Sequence, residues 1–192
     1  LKGKVAIVTG AGCLPGPADR EPIGNGKASA ILYASEGARI VAVDINREAA
    51  EETKGRIEEE GGICSVFGGD VSLAQDCQAI AEHCLKVYGR IDILHNNVGI
   101  QPPKPGGILE LNEEIWDLVM NVNVKSIFHT CRAVIPQMLR QGGGCILNIS
   151  SVAAQRHGHS KTFVYTVSKS AVNTLTRCIA VEFADKGIRV NC

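Results

Sequence analysis

Tyr165 and Lys169 lie one helical turn apart in the segment 165–169. The i,i+4 spacing places both side chains on one helix face, with Cβ atoms about 5–6 Å apart. An ammonium group at that distance favours the phenolate over the phenol and so lowers a tyrosine pKa from its ordinary value of about 10. The pair therefore predicts a proton-transfer group. Because the same spacing also fits a solvated helix face, the surrounding elements decide between the two interpretations.

The N-terminal quarter of the chain carries a nucleotide-binding pattern. An apolar, β-branched run at 5–8 leads into Thr9-Gly10-Ala11-Gly12, and Gly24-Asn25-Gly26 opens a helical stretch. A second apolar run, at 39–43, ends at Asp44. Strand, glycine loop, helix, strand and terminal acid is the dinucleotide-binding order. In this arrangement, the glycines and a helix N-terminus bind a pyrophosphate, and the acid accepts a hydrogen bond from a ribose hydroxyl.

Regular alternation of strands and helices predicts the architecture. Apolar strands are expected at 5–8, 39–43, 64–68, 91–94 and 145–149, and helices at 27–36, 47–60, 73–88, 113–141 and 163–185. Strands that are apolar on both faces imply a doubly wound parallel sheet between helices, a three-layer α/β/α arrangement formed by one domain, residues 1–192. Pro136 is expected to kink or weaken the end of the fourth helix. Polar residues follow the strands and should converge at the carboxyl edge of the sheet, namely Thr9, Asp44, Asp70, Asn96 and Ser151.

These motifs resemble, in order and over essentially the whole chain, the short-chain dehydrogenase/reductase family. Its Thr-Gly, three residues, Gly-x-Gly fingerprint is matched by Thr9-Gly10 and Gly24-Asn25-Gly26, and its Asn-Asn-Ala-Gly motif by Asn96-Asn97-Val98-Gly99. The resemblance implies a Rossmann fold and hydride transfer between a nicotinamide and a secondary alcohol or ketone. The implied catalytic residues are Asn123, Ser151, Tyr165 and Lys169. The implied cofactor-binding residues are Gly10, Gly24, Asn25, Gly26, Asp44, Ile45, Asp70, Val71, Asn97, Val98, Gly99, Tyr165 and Lys169.

The resemblance also assigns a role to each catalytic residue. Tyr165 would be the general base in oxidation and the general acid in reduction, and Ser151 would hydrogen-bond the substrate oxygen. Lys169 would lower the tyrosine pKa and bind nicotinamide ribose hydroxyls. Asn123 would hold the water that carries the proton onward.

Two features depart from the family pattern. Between Gly10 and Gly24 lie thirteen residues where the pattern has three, and the extra segment, 14–23, is rich in proline and charge. This composition predicts a surface loop that either points outward or damages the pyrophosphate site. Gly12 and Gly16 provide a second alignment of the motif, which the position of the helix start makes less attractive.

The other departure is at the C-terminus. Relatives continue past the strand that begins at Arg189-Val190-Asn191 with a substrate-covering lid and another strand, which are absent from this chain. We expect that strand to be an exposed, apolar sheet edge. The alternative to an enzyme is a non-catalytic nucleotide-binding remnant or a fragment. The four catalytic matches favour the enzyme, because a remnant has no physical need of them.

Asp44 favours NAD as the cofactor, because a carboxylate accepts from a free 2′-hydroxyl and repels a 2′-phosphate. NADP is the second choice, since Arg47 and Arg20 could turn toward a phosphate. An NADP-dependent 3-oxoacyl-thioester reductase is therefore an alternative to an NAD-dependent alcohol dehydrogenase. Steroids, sugars, polyols and acyl thioesters all remain open as small-molecule substrates.

Composition excludes several other classes of protein. Twenty acidic and twenty basic residues give no electrostatic case for nucleic acid or an anionic membrane, and no apolar run approaches the roughly 18 residues needed to span a bilayer. Eight scattered cysteines without Cys-x-x-Cys spacing predict reduced thiols and a cytoplasmic location.

The loop at 153–162 and the long helix complete the predictions. His157 and His159 lack a third ligand, so no metal site is expected. Their loop is predicted either to line the substrate pocket or to be an ordinary surface loop. In relatives, the helix equivalent to 113–141 contributes to an oligomer interface, which implies a homodimer or homotetramer.

Overall fold

A six-stranded parallel sheet forms the centre of the computed structural model, which describes residues 1–13, 23–104, 106–156 and 162–192. The strands are β1 (Val5–Thr9), β2 (Arg39–Asp44), β3 (Ile63–Gly68), β4 (Ile93–Asn96), β5 (Gly144–Asn148) and β6 (Ile188–Asn191). Their order across the sheet is β3-β2-β1-β4-β5-β6, with every neighbouring pair parallel. The direction of winding reverses between β1 and β4, which confirms the predicted doubly wound fold.

Helices cover both faces of the sheet. They are α1 (Asn25–Ser35), α2 (Arg47–Glu59), α3 (Ala74–Tyr88), α4 (Glu113–Met120), α5 (Ser126–Arg140) and α6 (Phe163–Phe183). Successive β1 side chains point to opposite faces. Val5 and Ile7 pack in a core with residues of α3, α5 and α6, whereas Ala6 and Val8 pack with residues of α1 and α2. Burial on both faces explains why the strands are continuous apolar runs.

The long helical stretch differs from the prediction of one α-helix over 113–141. A π-helical turn, Asn121–Lys125, separates α4 from α5. Within it the Asn123 side chain is fully buried. A π turn accommodates an extra residue, and such turns are frequent at functional sites. Pro136 occupies an exposed position of α5, and the helix continues beyond it to Arg140.

Two strands also differ from their predictions. β4 begins two residues later than expected and includes Asn96, which is therefore buried within the sheet. β6 is the predicted edge strand, but the prediction of an apolar exposed edge is wrong in detail. Ile188 and Val190 are buried, whereas the alternate residues Arg189 and Asn191 are exposed.

The cysteines are all unpaired, and several behave as small core residues. Burial raises the pKa of the Cys64 thiol in β3 to about 12, so this group stays protonated and unreactive at neutral pH. Within the described parts of the chain, none of the helices has the length and apolarity that crossing a bilayer would require.

Candidate active site

The glycine loop connects β1 to the first turn of α1 at the carboxyl edge of the sheet. Gly10 has a φ of +63°, a left-handed conformation that favours glycine. Gly26 packs directly on the Gly10 carbonyl, where a Cβ would overlap the oxygen. Asn97, the residue that follows β4, secures the loop, since its Nδ2 donates to the Gly10 carbonyl at 3.1 Å. This close packing allows the N-terminal backbone amides of α1 to face an anion.

Asp44 ends β2 with both carboxylate oxygens bonded to backbone amides. Gly12 N donates to Oδ2 at 2.9 Å, and Asn46 N donates to Oδ1 at 3.0 Å. A Cβ on Gly12 would lie 2.9 Å from Asp44 Oδ2 and 2.7 Å from the Ala49 Cβ. Only glycine fits between Asp44 and α2 without displacing one of them, so Gly12 is a part of the site that the preferred sequence alignment omitted.

A crevice of about 620 Å³ opens above the point where the strand order reverses. Of the thirteen predicted cofactor-binding residues, it is lined by Gly10, Gly24, Asn25, Gly26, Asp44, Ile45, Asp70, Val71, Asn97, Val98 and Gly99. It is also lined by Gly12, which only the second alignment of the motif indicated, and by residues that the motifs did not indicate, namely Cys13, Val43, Gly69, Ser72, Ile100, Leu118 and Val122. The remaining two predicted residues, Tyr165 and Lys169, lie on α6 and are not part of this lining.

Lys169 reaches from α6 toward the loop that follows β4. Its ammonium group donates to the Ile149 carbonyl at 2.7 Å and lies 5.7 Å from the centre of the Tyr165 ring. A Cβ on Gly99, which lines the crevice, would come within 2.9 Å of Lys169 Nζ. The lysine is 3% exposed, and burial lowers its pKa. Its charge is thus held between the crevice and the half-buried Tyr165.

Ser151 follows β5 and begins a short 3₁₀ turn, Val152–Ala154. Its Oγ accepts a hydrogen bond from Ala153 N at 3.2 Å, so its hydroxyl proton can be donated elsewhere. The turn is fastened to α6 on both sides of this serine. Ser150 Oγ donates to the Lys169 carbonyl at 3.2 Å, and Ser170 Oγ donates to the Ala154 carbonyl at 3.1 Å.

Asn123 has its side chain fully engaged with protein atoms. Its Oδ1 accepts from Ile100 N at 2.7 Å, and its Nδ2 donates to the Ile100 carbonyl and to Ser168 Oγ, each at 2.9 Å. Both amide protons are therefore used. The second lone pair of Oδ1 and the backbone carbonyl oxygen of Asn123 are the acceptors that could still take a hydrogen bond from a relay water.

The carboxyl ends of β4 and β5 are joined below the site by buried polar side chains. Asn96 Nδ2 donates to Asn148 Oδ1, Asn148 Nδ2 donates to Thr176 Oγ1, and Thr130 Oγ1 donates to Asn96 Oδ1, each at 2.9 Å. The network connects both strands to α5 and α6. It consequently fixes the loops that carry Asn97 and Ser151 relative to those helices.

Two predicted features lie outside the described residues. They are the greater part of the inserted segment, residues 14–22, and the His157-Gly158-His159 cluster. The residues that flank the insertion lie in contact, because Gly24 N donates to Cys13 Sγ at 3.1 Å.

Comparison with known proteins adds independent information. A sequence profile described as short chain dehydrogenase matches residues 4–192. An uncharacterized oxidoreductase of Thermotoga maritima is 42% identical over all of this chain and 70% of its own length. A 3-oxoacyl-[acyl-carrier-protein] reductase of the same organism is 35% identical over all of this chain and 72% of its length. The solved structure of a 7α-hydroxysteroid dehydrogenase with NADH and 7-oxo glycochenodeoxycholic acid superposes with a TM-score of 0.89, at 35% identity, over all of this chain and 69% of that one.

Proposed function

Because the chain belongs to the short-chain dehydrogenase family, we propose that it is an oxidoreductase that transfers a hydride between NAD(H) and a secondary alcohol or ketone, with Tyr165 as the acid–base group. The observation that carries the proposal is the position of Lys169. Its buried ammonium group lies 5.7 Å from the Tyr165 ring and next to crevice-lining Gly99. One charge can thereby serve both a proton-transfer group and a nucleotide.

In the oxidation direction, Tyr165 accepts the hydroxyl proton of the alcohol as the carbonyl forms. Ser151 holds the same oxygen by donating its free hydroxyl proton, and the turn fastened to α6 keeps that serine in place. Lys169 stabilises negative charge on the phenolic oxygen. A nicotinamide bound in the crevice would accept the hydride from the alcohol carbon or return it in reduction.

The surroundings of Asp44 support NAD rather than NADP. Its carboxylate lines the crevice and is held by two backbone amides. It can therefore accept a hydrogen bond from a ribose hydroxyl without moving. Arg47 is the nearby described cation, and it pairs with Glu51 at 3.5 Å on the next turn of α2. A 2′-phosphate would therefore meet the Asp44 charge first.

Reduction of a 3-oxoacyl thioester with NADP is the second candidate, supported by the 35% identity to a 3-oxoacyl-[acyl-carrier-protein] reductase. A nucleotide-binding remnant without turnover is less well supported. Burying Lys169 disfavours its charged form, and a protein that only bound nucleotide would have no need of an ammonium beside Tyr165.

A homodimer or homotetramer and a cytoplasmic location are further parts of the proposal. Between α5 and α6 lies an open, mainly apolar depression whose rim exposes Phe128 and Leu139, and the Arg132 guanidinium lies 5.9 Å from the centre of the Phe128 ring. A second copy of the chain would bury this surface. Light scattering would detect the oligomer, and Phe128→Glu should shift it toward monomers. Eight free thiols fit a reducing compartment.

Tyr165→Phe tests the proposed reaction. We expect turnover with a panel of secondary alcohols and NAD to fall at least a hundredfold, while calorimetry gives an NAD affinity within about threefold of the original. Tyr88→Phe is the matched control, because it removes a phenol whose hydroxyl donates to the Ile40 carbonyl, on α3 and outside the crevice lining. Substantial residual activity in Tyr165→Phe would remove this residue from its role.

A further inference from the structure

Ser168 lies between Tyr165 and Lys169 in α6 and is fully buried. Its Oγ donates to the Tyr165 carbonyl at 2.7 Å, the bond to the preceding turn that helical serines often make. The hydroxyl also accepts from Asn123 Nδ2 at 2.9 Å, across 45 residues of sequence. The tendency of a helical serine to bond the preceding turn explains the bond to Tyr165 but not the bond from Asn123.

Asn123 continues the connection to the crevice. The same amide group binds both the N–H and the carbonyl of Ile100, at 2.7 Å and 2.9 Å. Ile100 and the preceding Gly99 line the crevice, and Lys169 Nζ lies against Gly99. Three segments therefore meet at two side chains: the loop after β4, the π turn and the first half of α6.

The geometry points to Ser168 as a positioning residue that acts through Asn123, setting the register of α6, and with it Tyr165 and Lys169, against the nucleotide crevice. This inference rests on the proposed function. Its physical basis is that Asn123 has two amide protons and two acceptors for them. If the Ser168 acceptor is lost, the Asn123 amide has a buried, unpaired proton and can rotate to a new partner, which would release Ile100.

Ser168→Ala removes the acceptor and leaves Tyr165 and Lys169 themselves unchanged. We expect kcat to fall about tenfold or more, with NAD affinity within threefold, because the crevice lining is retained while the reacting groups lose their alignment. In an Asn123→Ala background, where the connection is already broken, Ser168→Ala should lower kcat less than twofold further. If Ser168→Ala acted only through loss of packing, it would lower kcat by the same factor in the Asn123→Ala background as in the unmodified protein.

Hydrogen exchange at the Ile100 amide gives a readout that does not depend on turnover. Its N–H donates to Asn123 Oδ1, so exchange should accelerate at least tenfold in Ser168→Ala if the serine holds that amide in place. Ser126→Ala is the matched control. Ser126 is also a buried helical serine, and its hydroxyl donates to the Val122 carbonyl of the preceding turn. It should leave kcat and Ile100 exchange within twofold.

Ser168→Cys is the second variant if Ser168→Ala fails to fold, since a thiol keeps the shape of the serine side chain at a somewhat larger volume but is a weak acceptor. Unchanged Ile100 exchange in a folded Ser168 variant would overturn the inference, and so would equal losses of kcat in Ser168→Ala and Ser126→Ala. If the unmodified protein turns over no alcohol or ketone, the proposed function fails. The Ile100 exchange rates then still decide whether Ser168 acts through Asn123.

Discussion

The backbone amide of Gly12 donates to Asp44 Oδ2 at 2.9 Å, which ties the glycine loop after β1 to the acid that ends β2. The two residues are 32 positions apart in sequence and meet because β1 and β2 are neighbouring parallel strands. The bond holds the carboxylate at the rim of the crevice. It also leaves no room for a side chain at position 12.

Gly12→Ala should therefore weaken NAD binding at least tenfold. The new Cβ would lie 2.7–2.9 Å from Ala49 and Asp44, so the carboxylate or α2 must shift. Gly55→Ala is the control, because no atom lies within 4 Å of a Cβ built there, within α2. That variant should keep NAD affinity and raise the free energy of unfolding by about 0.5–1 kcal/mol. Calorimetric titration and urea unfolding measure both effects, and equal NAD affinity in the two variants would contradict the role of Gly12.

Asp44→Asn should reduce NAD affinity about tenfold and leave NADP affinity equal or higher. The substitution removes the charge that repels a 2′-phosphate and one acceptor for the 2′-hydroxyl. Glu48→Gln is the matched control, since this acid lies in the first turn of α2 and outside the crevice lining. Titration of each variant with both nucleotides gives the ratio of NAD affinity to NADP affinity. Parallel losses for NAD and NADP would show that Asp44 does not select between them.

Removal of residues 14–23 should preserve the fold and keep or increase NAD affinity. The deletion joins Cys13 to Gly24, which already approach to 3.1 Å between Sγ and the backbone N. It also produces the three-residue spacing between Gly10 and Gly24 that is typical of the family. Calorimetry on both chains, together with circular dichroism, tests the prediction. A folded deletion variant that no longer binds NAD would show that the insertion contributes to the site.

Acid should destabilise the protein through His95. This histidine is 2% exposed, its Nδ1 lies 3.0 Å from the Tyr33 hydroxyl, and burial lowers its pKa to about 4. The unfolded chain, with a histidine pKa near 6.5, then binds more protons than the folded chain between those values. Stability present above about pH 6.5 is progressively lost down to about pH 4, by roughly 3 kcal/mol in total.

His95→Val is the comparison for this pH dependence. Urea unfolding of both proteins at several pH values between 7.5 and 4.5 should show a shallower loss of stability in the variant. Curves of equal slope would mean that other groups account for the acid sensitivity.

The doubly wound sheet and the crevice were predictable because they depend on local signals. An apolar run followed by glycine or an acid marks a strand end, and parallel strands bring such ends together, which is why Asp44, Asp70 and Asn97 all line the crevice. Gly12 belonged to the second alignment of the motif, which the position of the helix start made less attractive. Its steric role depends on Ala49, which approaches only in the folded chain.

The π turn and the contacts of Ser168 were beyond sequence reasoning. A helical hydrophobic pattern does not reveal one additional residue, so 113–141 reads as a single helix. Ser168 next to Lys169 looks like an ordinary small helical residue. Its bond to Asn123 spans 45 positions and exists only when α6 packs against the π turn.

The π turn also lets two successive helices serve different neighbours. α4 contacts α6, whereas α5 contacts α3. Each residue of an α-helix advances the direction of the side chains by about 100°. If all the residues of 121–125 wound as a regular α-helix instead, α5 would rotate by about that angle relative to α4. The face of α5 that carries Ile127, Val134 and Met138 would then turn away from the sheet, so the π winding of this short segment is what keeps that face in the core.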